Sequence, residues 1–99
     1  MLEDVNVLER DEIDVEVPKD YAVIYLNDNY SSWGLVKSTL MEICHKTEVE
    51  AEAITRDVHE KGKGIGYIGT EDICLTKRLQ IMHIARLEGM PLKIEVAAN

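Results

Sequence analysis

Cysteine is nearly absent. Cys44 and Cys74 are the only two, thirty positions apart and each inside an apolar helical pattern. That is the setting of reduced core thiols, whereas a disulfide scaffold or a metal knuckle needs more cysteines or closer ones. Long apolar runs are missing as well. Nothing approaches the ~18 residues that cross a bilayer, and the first residues lack both the basic and the apolar regions of a signal peptide. A cytoplasmic protein with no membrane partner is expected. Positive charge is short, at 11 Lys and Arg against 19 Asp and Glu, for a net charge of -8. Aromatic rings are few, with one Trp, four Tyr and no Phe. An acidic chain without a basic stripe or stacking rings has little with which to hold phosphates or bases, which excludes nucleic acid as a ligand.

What is present suits one small domain: 99 residues, 45% hydrophobic and 30% charged. The charge is uneven. Residues 1–20 hold eight acids against Arg10 and Lys19, leaving only -2 for the remainder. Residues 1–19 therefore read as an acidic extension, either a mobile arm or an edge strand in which Ile13, Val15 and Val17 alternate with Asp14 and Glu16. Residues 20–99 form the core domain.

Tyr21 to Leu26 is a strand with apolar residues on both faces, the mark of a central position in a sheet. It runs into Asn27, Asp28 and Asn29. This polar cluster is either a turn, since Asn and Asp accept from nearby backbone amides, or a cradle for a ligand. Ser31 or Ser32 caps a helix reaching about His45, with Leu35, Val36, Leu40 and Ile43 on one stripe. Thr47 caps a second helix, Glu48 to about Glu60, which His59 closes. Gly62 to Gly69 lacks the Lys-Ser/Thr of a phosphate loop and the helix of a dinucleotide fingerprint, so it reads as a turn and a short strand over Ile65–Ile68. Thr70 caps the longest helix, with Glu71 and Asp72 in its first turn and Gly89 past its end. Ile73, Cys74, Leu75, Leu79, Ile81, Met82, Ile84 and Ala85 cover more than half of its circumference. Pro91 opens a last strand that buries Leu92, Ile94 and Val96. The order β-α-α-β-α-β predicts an α+β sandwich, three helices on a small, mostly antiparallel three-stranded sheet.

Asn27-Asp28-Asn29-Tyr30-Ser31, then Val58-His59-Glu60-Lys61-Gly62, Thr76-Lys77 and Gly89-Met90-Pro91-Leu92 together resemble the ClpS family. That family consists of adaptors that hand substrates with destabilising N-terminal residues, N-degrons, to the Clp ATP-dependent protease. The four motifs are collinear and span about Tyr21 to Val96. The resemblance implies that Asn27, Asp28 and His59 bind the substrate's α-ammonium group. An ammonium has three N–H donors, and a carboxamide oxygen, a carboxylate and a neutral imidazole nitrogen supply three acceptors. It further implies a hydrophobic pocket for Leu, Phe, Tyr or Trp walled by Asn29, Ser31, Trp33, Val36, Thr55, Val58 and Leu92. Trp33 stands where the family commonly has Met, and Thr55 replaces another Met. The first change narrows the pocket and the second widens it. Asp72 and Lys77, taken as exposed, would dock on the N-terminal domain of a ClpA-like or ClpC-like AAA+ unfoldase. Residues 1–19 would match the family's extension.

The resemblance implies a monomeric adaptor, with no catalytic residue, metal or cofactor. An enzyme or metal protein built on Asp28, His59, His45 and Cys44 is disfavoured. Neighbours in a helix point about 100° apart, which makes Cys44 and His45 a poor chelating pair, and no nucleophile has triad-like spacing. Two rivals stay open: an interaction module of the same fold that never reads amino termini, as in the ribosomal stalk domain, and a regulator that only occupies the unfoldase.

Overall fold

A strand apolar on both faces needs cover on both sides and partners on both edges. The computed structural model, which describes residues 20–99, gives β1 (Tyr21–Leu26) the central place in a three-stranded sheet. β2 (Lys63–Gly69) and β3 (Lys93–Ala98) flank it, both antiparallel. Three helices, α1 (Trp33–Glu42), α2 (Glu48–Lys61) and α3 (Glu71–Leu87), complete the β-α-α-β-α-β order. Among the described residues no helix is long and apolar enough to cross a membrane. The acidic extension expected over residues 1–19 lies outside the described residues.

The core collects Val23, Tyr25, Leu35, Val36, Leu40, Val58 and Ile81, all but lost to solvent. Each large aliphatic side chain so removed from water contributes roughly 1.5–3 kcal/mol. Tyr25 is the largest. Its hydroxyl pairs with Thr39 Oγ1 at 2.9 Å, and burial, reinforced by neighbouring Cys44, pushes the phenol well above its usual range. The ring fits because Gly66 faces it. A Cβ at Gly66 would stand 2.7 Å from Tyr25 Cε1 and 2.9 Å from Leu40 Cδ2. At the same place the β1–β2 register slips between Val23 and Ile24, the local departure that an extra residue in one strand produces.

Helix ends follow their caps, with differences from expectation. Ser32 caps α1, its hydroxyl accepting from the Leu35 amide at 3.1 Å. The helix stops at Glu42, short of His45. The amides of Ile43 and Cys44 both turn to the Thr39 carbonyl, and His45 sits at φ 59°. Left-handed geometry cannot continue a helix. Cys44 is buried but lies outside the helix, so Cys44 and His45 are not helical neighbours. α2 begins with a reciprocal pair: Glu50 N–H donates to the Thr47 hydroxyl, and Thr47 N–H to the Glu50 carboxylate. It ends at Gly62, φ 95°, whose amide donates to the Val58 carbonyl. β2 is longer than the short strand expected over Ile65–Ile68.

α3 differs most. Thr70 has the extended backbone of a cap, yet its side chain makes no capping bond. Only Cys74, Ile81 and Ala85 are buried, with Met82 and Ile84 packed at the margin. Ile73, Leu75 and Leu79 face solvent, Leu79 at 66% exposure. The broad apolar arc expected for this helix is thus a narrow stripe, because a helix lying on a sheet of three strands has neighbours on one side only. Leu92 is buried just before β3 and Ile94 within it, while Val96 is half-buried at the margin.

Candidate functional site

The polar cluster after β1 is shaped by one side chain. Asp28 Oδ1 accepts from the amides of Tyr30 and Ser31 at 2.7 and 2.6 Å, an aspartate-nucleated turn. Burial would raise this carboxyl, but those two amides, with His59 adding to them, hold it below the usual carboxylate range. The other oxygen, Oδ2, is buried with no hydrogen-bond partner, and so is Ser31 Oγ. A buried polar atom left unpaired costs about 1–3 kcal/mol, and more when charged, so both atoms call for a partner from outside the protein, a water or a ligand.

The cluster is tied to the far end of α2. Asn27 N–H donates to the Gly62 carbonyl at 2.9 Å, which brings the residue after β1 against the last turn of the helix that carries His59. His59 Nδ1 lies 3.0 Å from the Thr55 carbonyl. A carbonyl can only accept, so Nδ1 carries the proton and, in the neutral ring, Nε2 keeps its lone pair. Leu26, Asn27, Asp28, Ser31, Val36, Val58, His59 and Leu92 bound one narrow hollow, too tight as it stands for a water molecule. Four of these, Asn27, Asp28, Ser31 and His59, are polar and the other four apolar.

Leu26 was not anticipated in this boundary, although its place next to Asn27 at the strand end could have suggested it. Asn29, Trp33 and Thr55 stand outside it. Asn29 is exposed. Thr55 is completely buried, its hydroxyl donating to the Ala51 carbonyl at 2.7 Å. That places Thr55 under the imidazole, which it supports through its backbone carbonyl. Trp33 packs against the His59 ring, with centroids 4.8 Å apart and a 34° tilt.

Asp72 and Lys77 meet in a second groove, of about 440 Å³, with Glu42, Ile43, His45 and Ile73. Asp72 is exposed, but Lys77 is half-buried, contrary to expectation. Its ammonium donates to the Ile43 carbonyl at 2.7 Å and sits 4.6 Å above the Tyr67 ring. The carbonyls released where α1 ends early draw it inward.

A family model described as ATP-dependent Clp protease adaptor protein ClpS matches residues 16–95. The chain is 40% identical over 80 residues to the ClpS adapter of Helicobacter hepaticus, covering 81% of each chain. It is 37% identical over 92 residues to that of Acetivibrio thermocellus, covering 93% of each. The fold is similar to that of Agrobacterium tumefaciens ClpS2 bound to L-phenylalaninamide, with a TM-score of 0.80 and 24% identity over 84% of this chain and 100% of the other.

Proposed function

The chain belongs to the ClpS family of ATP-dependent Clp protease adaptor proteins, and from that premise we propose that it captures N-degron substrates by the free amine and large apolar side chain of their first residue. Its work as an adaptor is recognition, with no bond made or broken. The observation that carries the reading is the unpaired, buried Asp28 Oδ2 on the hollow that His59 borders. An α-ammonium placed there would give one N–H to Asp28, one to His59 Nε2 and one to the Asn27 carboxamide. Val36, Val58, Leu92 and Leu26 would receive the side chain. Phenylalaninamide, the ligand of the Agrobacterium relative, has both the amine and the ring that such a site would take.

Charge-assisted hydrogen bonds contribute roughly 1.5–3 kcal/mol each, and burial of one large side chain about 1.5–3 kcal/mol. Three such bonds and one side chain total about 6–12 kcal/mol, so after the entropy of association about -8 kcal/mol, on the order of micromolar, is the upper end of the affinity. That strength holds cargo and still releases it. Asp72, with Glu42, His45 and Ile73 around it, is the corner proposed to meet the N-terminal domain of the Clp unfoldase.

Titration with a short peptide beginning with Leu or Phe, and with the same peptide acetylated, tests the reading. The free peptide should bind no more tightly than about micromolar and the acetylated one at least ~30-fold more weakly. Asp28→Ala should abolish most binding and leave the circular dichroism spectrum unchanged. Equal binding of the two peptides, or binding of neither, would overturn it.

A further inference from the structure

The geometry points to Glu52 as a positioning residue that sets which first side chains the hollow admits, by holding Trp33 against His59. The inference rests on the amine-binding reading above and concerns its selectivity.

The hollow is too tight for a water molecule, so an incoming side chain has to move a wall. Leu26, Val36, Val58 and Leu92 belong to the packed interior or its margin and cannot retreat without opening the core. Asn27, Asp28 and Ser31 form the polar side, tied down by the Asn27 bond to Gly62 and the Asp28 turn, which leaves the imidazole of His59 with the indole of Trp33 against it, and Trp33 is 38% exposed. This is the yielding wall.

An indole at that exposure could rotate freely, but it is tethered. Trp33 Nε1 donates to Glu52 Oε1 at 3.3 Å. Glu52 is itself fixed from two helices: Lys37 Nζ of α1 reaches Oε1 at 3.2 Å, and Arg56 Nη2 of α2 reaches Oε2 at 3.5 Å. Lys37 is also held by Glu48 at 3.2 Å. Lys37 follows Trp33 by one helical turn, so indole and ammonium rise from one face of α1 and meet the same carboxylate. Lys37, then the Trp33 N–H, keep that carboxyl below the usual range, so the acceptor stays charged at neutral pH. The tether therefore opposes widening in proportion to how far the indole has to travel. A first-residue Leu asks for a small displacement and a first-residue Trp for a large one.

Two peptides that differ only in beginning with Leu or Trp, each with an acetylated control, are titrated calorimetrically against the full chain and its variants. The parent protein should prefer Leu. Glu52→Ala should reduce the Leu-to-Trp preference by roughly fivefold or more, within the range by which size alone discriminates in an apolar pocket. Glu52→Gln keeps an oxygen for the indole N–H and should hold the preference within about twofold of the parent. Trp33→Phe cuts the same bond from the other end, and adding Glu52→Ala to it should change the preference no further. A readout independent of peptide comes from Trp33, the only tryptophan in the chain: its fluorescence anisotropy decay should gain a fast component in Glu52→Ala and not in Glu52→Gln. Overturning results are an indole that becomes mobile while selectivity stays put, selectivity that shifts while the indole stays rigid, or a parent protein that prefers Trp. If the parent protein binds neither free peptide, the amine-binding reading fails first and this inference falls with it.

Discussion

Asp28 divides its carboxylate, with one oxygen closing the turn and the other buried without a partner beside the hollow that Asp28 lines. Its carboxyl is held below the usual range. A depressed group contributes above its unfolded value, and that contribution is lost only as pH falls through the lower folded value. Asp28 thus stays charged under mildly acidic conditions. His59→Ala would remove one acceptor of a charge-assisted hydrogen bond and should weaken binding of the free-amine peptide by about tenfold or more, as followed by calorimetric titration, while leaving the acetylated peptide unaffected. Gly66 is the other residue on which much turns. Gly66→Ala would drive a methyl group into the fully buried Tyr25 ring and Leu40, an overpacking that costs about 1–3 kcal/mol. The urea midpoint should drop accordingly. The glycine's role could not be read from its own neighbourhood, because the ring it faces belongs to another strand across a register slip.

At the scale of elements, two threonines that look alike in the sequence behave differently. Thr47 caps α2 through a reciprocal pair with Glu50, whereas Thr70 makes no side-chain cap bond to α3. Thr47→Ala should cost about 1 kcal/mol. Thr70→Ala should stay within about 0.5 kcal/mol of the parent. Denaturant unfolding of the two variants checks the contrast. Strand β1 and the starts of the helices were legible because alternation, apolar spacing and capping residues are local signals. The early end of α1 was not. It depends on a left-handed His45 and on two amides sharing one carbonyl, neither of which leaves a mark on periodicity. The exposed flank of α3 was misread for a related reason: an apolar arc states what a helix could bury, and the width of the sheet decides what it does bury.

For the molecule as a whole, the layer order followed from the sequence of elements, and the family from four short collinear motifs. Their meeting in space did not follow from either. Asn27 and His59 border one hollow because the Gly62 carbonyl takes the Asn27 amide, a long-range bond that no spacing announces. Thr55 and Trp33 show the same limit, since one holds the imidazole by its Nδ1 edge and the other packs against the ring. The half-buried attachment of Lys77 reaches furthest. With its ammonium given to Ile43 and Tyr67, the corner it shares with Asp72 shows the outside world the acids Glu42 and Asp72 around Ile73, with His45, Thr76 and Gln80 at its edges. A counterpart shaped for that corner would be basic around an oily centre, and salt would loosen its grip.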